Sequence, residues 1–432
     1  MAEDEHSKIG FLAIVSIGIG GMVGGGIFAV LGLAVQLSHG GTPLAFLVAG
    51  LVALITSYSY AKLTVAFPSQ GGTVEFINQA FGEGMITGSL NVLLWISYVI
   101  MLSLYAFAFG SYGASFFSEA LQPIMKHVFI SGIIILLTVL NALGSTLVGE
   151  AEEWIVGFKL GILVLFIAIG FRGVSTINLA PQQWTPLPHL LAGGMIIFLA
   201  YEGFELIANS AGNVKNPGKI LPRAFYTSVI FVILLYILVS AVTVGNLPVD
   251  KIVAAKDYAL AEAAKPFLGQ FGFTLIAIAA LLSTGSAINA TLYGTARVSY
   301  IIAKDGELPE ILERKIWRRP VEGLLVTAAL AVVAANLFNL SNISLMGSAG
   351  FLLIFAAVNL ANAKLRAHTR PKRWLSVLGM LACLGALGTL LWQRATTAPG
   401  DLLVFIGLIV ISILIEGVYR SFTGRSIKPK NR

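Results

Sequence analysis

Two carboxylates stand three residues apart in an otherwise apolar run, Phe198-Leu199-Ala200-Tyr201-Glu202-Gly203-Phe204-Glu205, and a single cation, Lys159, sits in another, Trp154-Ile155-Val156-Gly157-Phe158-Lys159-Leu160-Gly161. Charges inside such runs are costly unless they face a cavity or a partner, so each is a candidate for ligand or proton chemistry. A third cluster is made of glycine: Gly18, Gly20, Gly21, Gly24, Gly25 and Gly26 fall within one apolar segment. Each glycine costs a helix interior about 1 kcal/mol against alanine. Either small residues let two helices pack closely, or the helix is broken there. Gly193 and Gly194 mark a second weak point just ahead of the two carboxylates. A broken helix offers bare N–H groups to a carboxylate at the start of one half and bare carbonyls to an ammonium at the end of the other. An α-amino acid carries both groups.

The elements that must hold these residues follow from composition. Of 432 residues, 57% are hydrophobic and 11% charged, with a mean hydropathy of +0.86, which places the chain in a bilayer. A span needs roughly 20 apolar residues, and long runs without alternation select helices over a barrel. Twelve spans are expected at 9–37, 43–67, 84–117, 128–148, 153–171, 188–210, 224–246, 270–302, 321–340, 343–363, 374–393 and 402–419. The suspected breaks fall in spans one and six, five apart. Interruptions at matching positions of two five-span halves are the sign of an inverted-repeat transporter with its site at mid-depth.

With the N-terminus in the cytoplasm, the outer loops hold Lys126, Arg172, Lys251, Lys256, Lys265 and Arg394, while Lys159 and Arg297 lie within spans. The rest of the 28 Lys and Arg gather on the inner side, which argues for both termini inside a multi-pass cell-membrane protein. The first span follows an acidic leader, Glu3 to Glu5, without the basic start or cleavage site of a signal peptide. A short surface helix is expected within 249–264. Cys383 is the only cysteine, which rules out an internal disulfide. Dispersed basic residues do not suit nucleic acid, the glycine run lacks the Gly-Lys-Ser/Thr of a P-loop, and the five histidines form no cluster for a metal. No Ser-His pair suggests a membrane enzyme. A channel is distinguished from a carrier by flux that never saturates.

Several segments then resemble one family: Gly24-Gly25-Gly26-Ile27-Phe28; Phe67-Pro68-Ser69-Gln70-Gly71-Gly72 with Ala80-Phe81-Gly82; Phe198 to Glu205; Lys215-Asn216-Pro217 with Leu221-Pro222-Arg223-Ala224; and Asn289 to Ala303 running into Lys304-Asp305-Gly306-Glu307-Leu308-Pro309. In order and spacing they resemble the amino acid–polyamine–organocation (APC) transporter superfamily, and within it a proton-coupled amino-acid transporter, nearly end to end. The resemblance implies an all-α integral membrane protein of about twelve helices, a LeuT-like 5+5 inverted repeat plus two peripheral helices, working by alternating access. The implied division is a cytoplasmic N-terminus at 1–8, a first repeat at 9–172, a second at 188–363, the last two spans at 374–419 and a cytoplasmic C-terminus at 420–432.

Carried over by position, Gly24, Gly25 and Gly26 would receive a substrate carboxylate on their N–H groups. The carbonyls of Met22 and Val23, with those of Leu199, Ala200 and Glu202, would face its amine. Lys159 would stand where sodium-coupled relatives hold their ion, with carbonyls near Gly18 and Gly21 and the hydroxyls of Ser283 and Ser286 as partners. The coupling ion would then be a proton, with no cofactor and no metal, because a desolvated amine can release and regain a proton. The alternative for Lys159 is snorkelling toward the headgroups past Glu152 and Glu153. Glu202 departs from the family pattern. It either favours a cationic side chain or proton transfer, or turns inward to pair with tyrosine or backbone, and Glu205 is expected to bond structurally. Near Gly212 many relatives place a glutamate that this chain lacks. Tyr98, Tyr105, Phe204, Asn289 and Tyr293 are candidate pathway residues. The expected function is proton-coupled, sodium-independent uptake of small neutral amino acids, with a cationic amino-acid or polyamine carrier as the alternative; the oligomeric state is left open.

Overall fold

The computed structural model describes residues 9–82, 84–143, 147–304 and 321–423. The acidic leader, Lys8, the motif past Lys304, and the basic residues at 314–319 and 425–432 lie outside the described residues, as do the side chains of Glu152 and Glu153. The chain runs through α1 (Phe11–Met22), α2 (Gly26–Ser38), α3 (Thr42–Ala66), α4 (Thr73–Phe81), α5 (Met85–Ala114), α6 (Gln122–Leu143), α7 (Leu147–Gly170), α8 (Thr176–Leu179), α9 (Leu187–Ile196), α10 (Leu206–Asn209), α11 (Pro217–Asn246), α12 (Val249–Ala254), α13 (Ala259–Glu262), α14 (Lys265–Lys304), α15 (Val321–Leu337), α16 (Leu340–Lys364), α17 (Arg366–Thr369), α18 (Arg373–Thr397) and α19 (Pro399–Thr423). Among the described residues nine helices are long and apolar enough to cross a membrane, and two bent pairs raise the number to eleven. The ninth expected span is α15, a shorter apolar helix of 17 residues.

The bends fall in the first and sixth spans. The α1 and α2 axes differ by 44°, and α9 and the segment Phe198–Asn209 by 41°. In the first case Val23, Gly24 and Gly25 leave the helix, and Gly25 precedes α2 with no side-chain cap. In the second the backbone tightens into a 3-10 helix over Phe198–Glu205, every residue of which is buried. A 3-10 stretch inside a span commonly marks a functional break.

The helices sort by burial. α5 and α16 lie inside the bundle, whereas α6 and α19 turn leucine, isoleucine and valine outward at Ile135, Leu136, Val139, Leu403, Ile406 and Leu414, as lipid-facing sides require. Polar side chains join α3, α16 and α18: Asn359 donates to Thr56, Ser59 donates to Asn359, and Asn362 donates to Ser59 and Ser376.

Some boundaries move. α11 begins at Pro217, seven residues before the expected span, because proline at the first helical position loses no internal hydrogen bond. Between the second and third expected spans lies α4, to which Thr73, Phe76, Ile77 and Ala80 give one buried face. The surface helix expected at 249–264 is instead α12 and α13 with a 3-10 turn, Lys256–Tyr258, between them.

Candidate functional site

The two breaks meet backbone to backbone. A Cβ added at Gly203 would fall 2.2 Å from the carbonyl carbon of Gly21 and 2.4 Å from the amide of Met22, and one at Gly26 would fall 2.7 Å from Ala200. Only glycine admits such an approach. Gly25 is covered by the ring of Tyr105 on α5 and by Thr284 on α14, and Gly24 by Ala287.

Side chains from other helices already hold the exposed main chain of both breaks. The Tyr236 hydroxyl on α11 lies 2.7 Å from the Met22 carbonyl and 3.2 Å from that of Ala200, so one group spans both interruptions. Ser283 on α14 donates to the Val23 carbonyl at 2.9 Å and to that of Gly24. Ser348 on α16 donates to the Ile196 carbonyl at 2.8 Å and accepts from the Leu199 amide at 3.2 Å. A carbonyl oxygen has two lone pairs, so Met22 and Val23, which lie outside the 3-10 segment, can each still accept from an ammonium.

Lys159 is 1% exposed and therefore does not snorkel. Its ammonium donates to the Gly20 carbonyl at 3.2 Å. Gly18 and Gly21 flank that residue, but their α-carbons face Ile207 and Ser228, and Gly203 and Leu206, respectively, whereas Gly20 faces Val156 on α7. The 100° step of the helix thus presents Gly20 to the lysine. Ser286, one turn beyond Ser283, is half-buried.

Glu202 and Glu205 are 3% and 1% exposed, and their side chains lie against each other. Glu205 also accepts from Tyr60 at 2.9 Å, from Thr73 at 3.1 Å and from Tyr98. Its expected structural bonding is present, and Tyr98 is committed to it. Asn289 accepts from Asn141 at 2.7 Å and ties α14 to α6. Tyr293 is 58% exposed with Arg297 over its ring, and Arg297 donates to Gln70.

Residues 9–415 match the family model described as amino acid permease. The chain belongs to the amino acid permease family. It is therefore an amino-acid transporter of the APC superfamily, with the LeuT-like helical fold of that superfamily, and a membrane carrier rather than an enzyme. Similar proteins include "Uncharacterized protein MJ0609" of Methanocaldococcus jannaschii, 38% identical over 98% of each chain. "Inner membrane transport protein YbaT" of Escherichia coli is 32% identical over 96% of this chain and 97% of its own. "Branched-chain amino acid permease BcaP" of Bacillus subtilis is 24% identical over 83% of this chain and 81% of its own.

Tyr236 and Ser348 were not singled out by sequence reasoning. Tyr236 carried a usable signal, since a lone tyrosine in the apolar run Val232-Ile233-Leu234-Leu235-Tyr236-Ile237 must find a partner for its hydroxyl when buried. Ser348 carried none, being one small residue among many in α16.

Proposed function

We propose that this permease takes up small neutral α-amino acids together with protons and independently of sodium. The observation that carries the reading is the buried ammonium of Lys159 against the freed carbonyl of Gly20 in the broken first span. A fixed amine leaves little room for a sodium ion beside it. Loss of its proton removes a charge from the end of α1, so protonation and the arrangement of the break are linked. The proton is exchanged beside the Gly20 carbonyl, next to the break that Ser283 holds through Val23 and Gly24.

The substrate carboxylate sits on the N–H groups at Gly24, Gly25 and Gly26, where α2 starts with no side-chain cap. Its ammonium faces the carbonyls of Met22, Val23, Leu199, Ala200 and Glu202. Backbone groups recognise the amino-acid head, and Tyr105 over Gly25 leaves little space for a long side chain. Glu202 is turned to Glu205, which favours neutral substrates over cationic ones. The branched-chain substrates named for the Bacillus relative are consistent with that preference.

The first repeat, 9–172, and the second, 188–363, together enclose a site whose access alternates between the two sides of the membrane, with 374–419 peripheral. The protein lies in the cell membrane with both termini cytoplasmic, in keeping with the bias of Lys and Arg. Proteoliposomes under an imposed proton or sodium gradient test this. Accumulation of alanine or serine driven by the proton gradient alone is expected. Accumulation driven by sodium, or of arginine and putrescine in place of alanine, would reject the reading.

A further inference from the structure

The connection from α16 through α17 to α18 carries Lys364, Arg366, Arg370, Lys372 and Arg373 within ten residues, with no Asp or Glu among them. All five are exposed. Lys126, Lys265, Arg394 and Arg420 each have a carboxylate within 3.9 Å, whereas among the described residues none of these five does. Lys364 is engaged over the Phe81 ring, 5.2 Å from its centre. Like charges crowded together repel one another, and an anionic counterpart relieves that repulsion.

The backbone under the charges is held in place. The Lys372 amide donates to the Tyr58 hydroxyl on α3 at 2.6 Å, and Asn362 donates to Ser376 at 2.9 Å across the connection. Thr369 is buried with its hydroxyl donating to the Leu365 carbonyl at 3.3 Å, and the His368 ring lies 5.6 Å from that of Phe67. Arg370 takes the left-handed conformation, φ 44° and ψ 53°, where α17 ends. A partner therefore meets a frame that needs little ordering. Its depth follows from the spans: Lys364 closes one and Arg373 opens the next, so the connection lies where two helices leave the hydrocarbon. Trp374 follows directly and is 63% exposed, and a tryptophan so placed sits at headgroup level. The anion found at that level is phospholipid. Clusters of Lys and Arg beside a span are drawn to an anionic leaflet, and guanidinium groups match phosphate oxygens in pairs.

We propose that this connection binds the headgroup of an anionic phospholipid, with Arg366, Arg370, Lys372 and Arg373 supplying the charge for its phosphate and Trp374 the contact with its glycerol and upper acyl chains. The inference stands apart from the amino-acid reading of the central site. The test is displacement of dansyl-labelled phosphatidylglycerol from the purified full-length protein in neutral detergent, read by energy transfer from tryptophan, with unlabelled phosphatidylglycerol and phosphatidylcholine as competitors.

Phosphatidylglycerol should compete at a concentration lower than phosphatidylcholine by roughly 20-fold or more, and molar salt should remove the difference. Arg366→Gln, Arg370→Gln, Lys372→Gln and Arg373→Gln should each weaken phosphatidylglycerol by about 2- to 3-fold without touching phosphatidylcholine, and the combined variant should lose the preference. Arg172→Gln with Lys251→Gln, exposed cations on other connections, should keep it. Equal competition by the two lipids, or a preference that survives the combined variant, would overturn the site. Displacement by inorganic phosphate at millimolar concentration would overturn it in favour of a soluble anion. Should the combined variant fail to fold, the four single variants decide the matter: phosphatidylglycerol binding unchanged in all of them would overturn the site.

Discussion

Replacing Gly203 by alanine drives a methyl group into the place where the two broken spans touch. The added carbon would lie 2.2 Å from the Gly21 carbonyl carbon, 2.4 Å from the Met22 amide and 2.6 Å from the Gly21 oxygen, whereas ordinary contact begins at 3.4 Å. The segments must therefore part by about 1.2 Å, the difference between 3.4 and 2.2 Å. All three obstructing atoms are main chain, so no rotamer change relieves the clash. Overpacking of a close-packed interior costs about 1–3 kcal/mol, and a backbone obstruction belongs at the upper end. If that strain falls on the substrate-bound arrangement, about 2–3 kcal/mol weakens binding roughly 30- to 150-fold.

The control is Gly157→Ala, where an added Cβ meets nothing within 4 Å on the exposed side of α7. There alanine should stabilise the helix by about 1 kcal/mol. Thermal unfolding of both purified variants, with alanine titrations, reads the contrast: Gly203→Ala should melt lower and lose most of its affinity, and Gly157→Ala should match or exceed the wild type. A Gly203→Ala protein with unchanged melting and affinity would refute the backbone contact from which the site is built.

Further outcomes follow from the same geometry. Tyr236→Phe removes the hydroxyl shared by the Met22 and Ala200 carbonyls and should weaken alanine binding by about 5- to 30-fold, on the order of 1–2 kcal/mol; an unchanged Kd by calorimetry would show the hydroxyl is idle. Glu202→Gln keeps a hydrogen-bonding group beside Glu205, so alanine uptake should persist within about threefold, a loss under roughly 1 kcal/mol. A wild type that carries arginine and a Glu202→Gln variant that carries alanine in its place, in competition assays, would instead assign Glu202 to substrate selection.

Much of this arrangement could be read from the chain. Twelve apolar runs announced the spans, and the density of glycine from Gly18 to Gly26 announced the first break, because no other composition is so ill suited to a continuous helix. The second break falls a few residues past Gly193 and Gly194, which lie within α9, and coincides instead with Glu202 and Glu205, whose burial inside an apolar run demands a polar enclosure. What supplies that enclosure was less legible. Tyr60, Thr73 and Tyr98 come from α3, α4 and α5, and nothing local in sequence says that three separate helices converge on one carboxylate.

The depth of Lys159 was likewise ambiguous, since a lysine near a span end can reach the headgroups or turn inward. Packing against the α1 break, with Gly20 rather than Gly18 or Gly21 toward α7, fixes it. α4 escaped notice because its nine residues are too few to span a bilayer and follow a Pro- and Gly-rich stretch. The Lys126–Asp257 pair joins residues 131 apart across a loop whose path the sequence does not specify.

The claim that Lys159 couples transport to protons is tested most directly by alanine accumulation into proteoliposomes under an imposed pH gradient, comparing wild type with Lys159→Ala. Concentrative uptake by the wild type and its loss in the variant, with alanine binding retained, is the predicted result. Accumulation by Lys159→Ala at the wild-type rate and to the wild-type level would contradict the account.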